Sequence, residues 1–158
     1  MTTVTAPRIR YGYAAGPAQV CALVVGLLLL VLGILGFIPG VTTDLGTITF
    51  ASPDSHAMIF GLFQTTVLRN VLFIIVGLAG LGAPRSRAGA TLYIVGAGGF
   101  LMTLWLYNLL FGNSDFGGNI FSANLNDFAL DFCLGLAILI AALATSQFAL
   151  FGSDYEEA

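Results

Sequence analysis

Two aspartates, an arginine and an asparagine stand out because they lie at the edge of, or inside, apolar stretches. Arg69 and Asn70 interrupt FGLFQTTVLRNVLFIIVGLAG, which is otherwise suited to lipid. Asp127 and Asp131 occur in NLNDFALDFCLG, and their spacing of four residues places both on one face of a helix. A guanidinium and two carboxylates in an apolar setting could form an ion pair, or a site for a proton or an ion.

The composition indicates an integral membrane protein. Of the 158 residues, 58% are hydrophobic and only 8% are charged. A soluble domain of this size needs far more charge to cover its surface. The net charge of −3 is small, the chain has no lysine, and no basic stripe is present. We therefore expect no nucleic-acid binding.

Four long apolar runs predict four transmembrane helices, because about 20 apolar residues cross a bilayer. The runs lie at about residues 18–38, 67–83, 90–111 and 128–151. The second run reaches a spanning length only if it includes Arg69. The predicted fold class is thus all-α, with residues 1–158 forming one integral membrane four-helix bundle.

The segment before the second run, residues 55–64, is open to two interpretations. It forms either a short interfacial helix or the first turns of the second spanning helix, and we favour a break near Gln64. No part of the chain shows the period-2 alternation of a strand, and the apolar runs are too long for barrel strands. We therefore expect no β-structure.

The placement of arginine predicts the orientation. Arg8 and Arg10 precede the first run, and Arg85 and Arg87 lie between the second and third runs. The other two loops carry no lysine or arginine. The positive-inside rule then places both termini in the cytoplasm and the other two loops outside. In this orientation Arg69 lies near the outer surface.

Three interpretations of Arg69 remain open. The side chain could reach up to water or headgroups. It could instead pair with Asp131, which has the same predicted depth, with Asp127 nearer the water and Asn70 and Asn108 completing the polar cluster. The same residues could form a functional proton or ion site. The sequence favours the structural pair, because the chain offers no other intramembrane cation.

The remaining residues offer little chemistry. Cys21 and Cys133 belong to no metal motif and are predicted at opposite depths, so we expect no disulfide. His56 is the only histidine, and with Asp54 it lacks further metal ligands; a helix cap or an interfacial position is expected. Because no catalytic motif is present, we expect no enzyme activity, no cofactor and no metal.

Small residues recur in all four runs. Glycines such as Gly26, Gly77 and Gly98, and alanines near Ala142, let helix backbones approach each other closely. Such residues pack the helices of one bundle together, or they form a face for a partner protein. The sequence alone does not separate the two uses.

Three motifs connect the chain to a known family. GILGFIPG ends the first run, a histidine and GLF precede L-x-N and G-x-x-G around the second, and D-x-x-L-x opens the fourth at Asp127. In this order the motifs resemble a family of small four-helix membrane proteins of unknown function, found mostly in high-GC Gram-positive bacteria. The resemblance implies the fold and supplies no activity. Members commonly carry histidines where this chain has Arg69, Phe73 and Asp131, so roles that need imidazole are not implied.

Two functions are expected from these observations. The first is a non-catalytic accessory or scaffolding subunit that docks on a larger membrane complex, either respiratory or of the cell envelope. Such a subunit contacts membrane lipid, and the sequence leaves open whether it also forms homo-oligomers. The alternative is a small transport protein, or one that binds lipid or a small molecule, with Arg69, Asp127 and Asp131 facing a cavity. A closed ion pair favours the first, and an open cavity favours the second.

Overall fold

The structure, a computed structural model, describes residues 16–112 and 118–151, with side chains up to residue 145. Within these residues there are four helices long and apolar enough to cross a membrane, so the prediction of four such helices is confirmed. The helices are α1 (Pro17–Leu35), α2 (Val67–Gly82), α3 (Arg87–Phe111) and α4 (Leu125–Phe151).

Capping residues, rather than hydropathy, set where the helices begin and end. Ser86 caps α3 by accepting a hydrogen bond from the backbone N–H of Gly89 at 3.0 Å, so α3 starts at Arg87 instead of the expected residue 90. At the end of α1, the Thr42 hydroxyl donates to the carbonyl of Leu35 at 2.8 Å and satisfies a carbonyl of the last turn. The helix therefore ends at Leu35, and not at residue 38 as the sequence predicted.

Both helical interpretations of residues 55–64 are wrong. This segment contains two short strands, β2 (Met58–Ile59) and β3 (Phe63–Gln64). They form an antiparallel sheet of order β1-β2-β3 with β1 (Thr42–Thr43). Phe60 and Gly61 have φ values of 55° and 67°, which a right-handed helix does not contain.

The expectation of no β-structure is therefore wrong as well. Strands of two residues are too short to show a period-2 pattern. The pairing that defines them is long-range, because the backbone N–H of Phe60 donates to the carbonyl of Val41 at 2.8 Å. The expected break near Gln64 falls where β3 ends, and α2 begins at Val67.

Glycines bring the helices into close antiparallel pairs. A Cβ on Gly26 of α1 would lie 2.8 Å from the Cα of Gly80 in α2, so only glycine fits at this crossing. A Cβ on Gly98 of α3 would meet the Leu139 side chain of α4 at 2.8 Å. Contacts between α1 and α3 then join the two pairs. The buried core includes Ala22, Leu29, Ala90, Ile94, Leu101 and Ile138.

The two ends of the bundle differ. At one end the Gln19 amide donates to the carbonyl of Pro84 at 2.7 Å, which holds the start of α1 against the turn between α2 and α3. Because successive helices run in opposite directions, residues 36–66 and 118–124 gather at the other end. We call that second end the polar end.

Candidate functional site

The charged residues predicted from the sequence meet at the polar end. Arg69 lies in the first turn of α2, where the Thr66 hydroxyl caps the helix by accepting from the Arg69 backbone N–H at 3.2 Å. Its Nη2 lies 2.8 Å from Asp131 Oδ1 and 3.5 Å from Asp127 Oδ1, both in α4. The side chain of Arg69 is 4% exposed and those of both aspartates are 0% exposed. The guanidinium therefore faces carboxylates and does not reach water.

Two further side chains complete the surroundings of this pair. The Asn108 amide of α3 donates to Asp131 Oδ2 at 3.3 Å, so the cluster connects three helices. The Arg69 guanidinium carbon lies 5.4 Å from the centre of the Phe73 ring, within the range of a cation–π contact. The ring covers the guanidinium on its apolar side. We call Arg69, Asn108, Asp127 and Asp131 the charged cluster.

Asp127 is as fully buried as Asp131, although the sequence predicted that it lies nearer the water. Its Oδ2 accepts from the backbone N–H groups of Gln64 at 2.9 Å and of Asn124 at 3.0 Å. In return, Asn124 Oδ1 accepts from the Asp127 N–H at 3.0 Å, which forms a reciprocal capping box at the start of α4. The loop that carries β3 covers the carboxylate. The pattern Asn-Leu-Asn-Asp is a capping-box signal that sequence reasoning missed.

Asn70 is close to the charged cluster but serves another purpose. Its Oδ1 accepts from the Thr65 hydroxyl at 2.5 Å, and no described residue joins it to either carboxylate by a hydrogen bond. The Asn70 amide fills the space beside Gly36, where a Cβ would overlap it. Asn70 therefore fixes the end of α1 against the start of α2, and Gly36 of the GILGFIPG motif makes this contact feasible.

Hydrogen bonds between the loops close the polar end. The Ser55 hydroxyl donates to the carbonyl of Thr65 at 2.5 Å, and the Gln64 amide donates to the carbonyl of Ser55 at 2.7 Å. Ser122, which precedes α4, donates to that same Ser55 carbonyl at 2.9 Å. Sequence reasoning missed these residues, because isolated serines in a loop carry no spacing signal. Together they fasten the loop before α2 to the loop before α4.

Little space remains beside the charged cluster. One cavity of about 10 Å³ is lined in part by Arg69, Asn70 and Asp127, and it has room for about one water molecule. Two larger grooves at the polar end are open to the outside. One, of about 280 Å³, is lined in part by Asn108, and the other, of about 380 Å³, includes Leu62.

The other candidate ligands do not form a site in the described part of the chain. His56 is exposed and precedes a strand, so the expected helix cap is wrong. Among residues 16–112 and 118–151, no group of three or more histidines, cysteines or acidic residues could hold a metal ion. Cys21 and Cys133 are free thiols.

The fold and the charged cluster define a class: small proteins with four helices that are long and apolar enough to cross a membrane, and with a buried ion pair at one end. Within that class, the chain belongs to the family described as a domain of unknown function, DUF4383, which matches residues 19–144. No curated protein and no solved structure matches the chain. The expected membership in a four-helix family of unknown function is confirmed to this extent, and its bacterial distribution stays a prediction.

Proposed function

We propose that this protein is a non-catalytic accessory subunit that docks on a larger membrane protein complex through one face of α3. The proposal includes cytoplasmic termini, which the arginine positions favour, and a bacterial cytoplasmic membrane, which the family resemblance implies. The observation that carries it is a row of residues in α3 whose two glycines, Gly96 and Gly99, face open space among the described residues.

The row lies on the outside of the bundle. Its residues are all exposed or half-exposed, and they recur at alternating spacings of four and three, which keeps them on one side of a helix. They are Leu92, Gly96, Gly99, Thr103, Leu106 and Leu110. We call this row the α3 face. Leucines form its two ends, and small residues form its middle.

The glycines of the α3 face differ from the other glycines of the helices. A Cβ on Gly96 or Gly99 would meet nothing within 4 Å, whereas a Cβ on Gly26, Gly77 or Gly98 would collide with a neighbouring helix. The Thr103 hydroxyl donates to the carbonyl of Gly99 at 2.8 Å, so it adds no unpaired donor to the face. A shallow apolar groove of this kind suits close approach by a transmembrane helix.

The closed charged cluster supports this role over transport or ligand binding. Arg69 and both aspartates face each other, and the cavity beside them, of about 10 Å³, has room for little more than one water molecule. A transported solute or a lipid headgroup needs far more space at its binding residues. This arrangement favours a supporting role of the charged residues in the bundle over a binding site for a transported solute or a lipid.

Co-purification tests the proposal. The full chain, tagged at its C-terminus, is extracted from native membranes in a mild detergent, and its partners are identified by mass spectrometry. We expect stoichiometric recovery with one larger membrane complex. We expect that recovery to be lost in the double variant Gly96→Leu/Gly99→Leu, which adds bulk only to the open α3 face.

A matched variant separates docking from folding. Ala137→Leu adds similar bulk to an exposed position of α4 and should leave the complex intact. All variants should elute as folded protein, as judged by size-exclusion chromatography and circular dichroism. Recovery of the chain alone would overturn the proposal, and so would an unchanged yield of complex with the double glycine variant.

A further inference from the structure

The charged cluster contains one more negative charge than positive charge if both of its carboxyl groups are ionised. The ion pairs to Asp127 and Asp131 within the described residues come from Arg69 alone. The other side chains that line the space beside the guanidinium are neutral: Leu32 from α1, Asn70 and Phe73 from α2, Leu130 from α4, and Ile59, Phe63, Gln64 and Thr65 from the sheet and its loop. An unpaired charge is costly where water is excluded, so this arrangement favours uptake of a cation.

The size of the site selects the cation. The cavity of about 10 Å³ beside Arg69 and Asp127 holds no hydrated metal ion. A bare cation such as Na⁺ needs several oxygen ligands, and the guanidinium already occupies the position between the two carboxylates. A proton needs only one carboxylate oxygen and one acceptor for its hydrogen bond.

The partners of Asp127 are suited only to its ionised form. Its Oδ2 accepts from two backbone N–H groups, those of Gln64 and Asn124. Backbone N–H groups donate and cannot accept, so they stabilise the carboxylate and offer nothing to a carboxylic acid proton at Oδ2. Its Oδ1 lies 3.5 Å from Arg69 Nη2 and has no hydrogen-bond partner among the described residues, so a proton at Oδ1 would find no acceptor either. Asp127 is therefore the carboxylate that keeps its charge opposite Arg69.

The partner of Asp131 is suited to both forms. Asp131 Oδ1 accepts from Arg69 and can do so whether or not Oδ2 carries a proton. In the part of the chain that the structure describes, the hydrogen-bond partner of Oδ2 is the Asn108 amide, at 3.3 Å. An amide donates a hydrogen bond to a carboxylate through its nitrogen. After the amide group rotates by 180°, its oxygen accepts a hydrogen bond from the O–H of a carboxylic acid. In this arrangement Asn108 Oδ1 is buried and has no partner among the described residues, so it is free to serve as that acceptor.

From these contacts we propose that Asp131 Oδ2 is a proton-binding site, at which the bound proton is shared with Asn108 and neutralises the charged cluster. Asn108 also lines the open groove of about 280 Å³ at the polar end, so one residue contacts both the Asp131 carboxyl group and the groove. The proton enters and leaves past this side chain. The site does not depend on the proposed docking role, and either can fail without the other.

Infrared spectroscopy of the full chain in lipid nanodiscs tests the proposal directly. A protonated carboxyl group absorbs at a frequency distinct from that of a carboxylate, and isotope-labelled aspartate moves the band and so assigns it. At neutral pH we expect a band equivalent to one aspartic acid per chain. Asp131→Asn should remove it, and Asp54→Asn, at an exposed loop position, should leave it unchanged. A wild-type spectrum without the band, or a band that survives Asp131→Asn, overturns the proposal.

Two further variants test its physical basis. Asp127→Asn removes the surplus negative charge, so Asp131 should ionise opposite Arg69 and the band should disappear. Asn108→Ala removes the hydrogen-bond acceptor, so the band should stay but move in frequency. Persistence of the band in Asp127→Asn contradicts the charge balance, and an unmoved band in Asn108→Ala contradicts the assignment to Asp131.

Discussion

Arg69 of α2 and Asp131 of α4 are 62 residues apart in the chain, and their side chains form a buried hydrogen bond of 2.8 Å. The pair joins the two helix hairpins of the bundle at the polar end. An arginine is tolerated in an otherwise apolar helix because a carboxylate, rather than water, balances its charge. Asp127, at 3.5 Å, extends the pair to a group of three charged residues.

The first prediction concerns this ion pair. Arg69→Leu should lower the free energy of unfolding by about 3–5 kcal/mol, because it leaves buried carboxylates without their cation. Arg85→Leu, at an exposed position of the turn between α2 and α3, should change it by less than about 0.5 kcal/mol. Thermal or denaturant unfolding in detergent micelles measures both effects.

A double-mutant cycle extends this test. Arg69→Leu combined with Asp131→Asn should recover part of the lost stability, because a neutral amide then replaces one of the two acidic groups that lost their cationic partner. Recovery should be larger when Asp127→Asn is added. If the double variant is no more stable than the worse single variant, the two residues are not energetically coupled.

The second prediction compares two glycines. Gly36→Ala should destabilise the protein by about 1–3 kcal/mol, because the new methyl group overlaps the Asn70 amide. Gly96→Ala should stabilise it by up to about 1 kcal/mol, because alanine favours the helix and meets open space. Melting temperatures of the purified variants report both changes. Equal effects of the two substitutions would contradict the packing described for Gly36.

The third prediction concerns the start of α4. Asn124→Ala removes the side-chain oxygen that accepts from the Asp127 backbone N–H, and the loss of this cap should cost about 1–2 kcal/mol. Asn126→Ala is the matched control: Asn126 is exposed, and the Leu62 carbonyl that it contacts also accepts from Asn124. Its cost should stay below about 0.5 kcal/mol. Unfolding midpoints that fall by the same amount in both variants would show that the capping box adds nothing.

The fourth prediction concerns orientation. In a background without Cys21 and Cys133, a cysteine at Asp54 should react with a membrane-impermeant thiol reagent added to intact cells. A cysteine at Ala88, in the first turn of α3, should react only after the membrane is opened. Both positions are exposed in the structure, so a difference in labelling reports their side of the membrane. The reverse pattern would invert the proposed topology.

Sequence patterns located the helices well because long apolar runs have few alternative structures. The predicted starts of α3 and α4 lay too late in the chain. The first turns of these helices are polar, and the caps at Ser86 and Asn124, rather than hydropathy, determine where they begin. The prediction of helix at residues 55–64 was wrong for a different reason. Its apolar residues fit a helix, but a long-range backbone contact to Val41 and the turn at Phe60 and Gly61 made it a hairpin.

The charged cluster was predictable in part. Matching depth brings Arg69 and Asp131 to the same level of the bilayer, and this is a one-dimensional argument that a sequence supports. The position of Asp127 was not predictable from depth, because its burial depends on a loop that folds over it and donates from the Gln64 backbone. Asn70 was assigned to the cluster by depth alone, whereas its amide packs beside Gly36 and accepts from Thr65.

The sequence by itself determined the class of protein, the number of helices and the presence of charges that need a counter-ion within them. These properties follow from composition and from the length of each apolar run. Transfer free energies from water to an apolar medium relate both directly to spanning helices and to the cost of a charge within them. Only the tertiary structure decided which glycines pack the bundle and which remain open, and which donors surround each carboxylate. Those properties depend on the rotation of each helix about its axis and on loop contacts between distant residues, and neither is encoded in a local pattern.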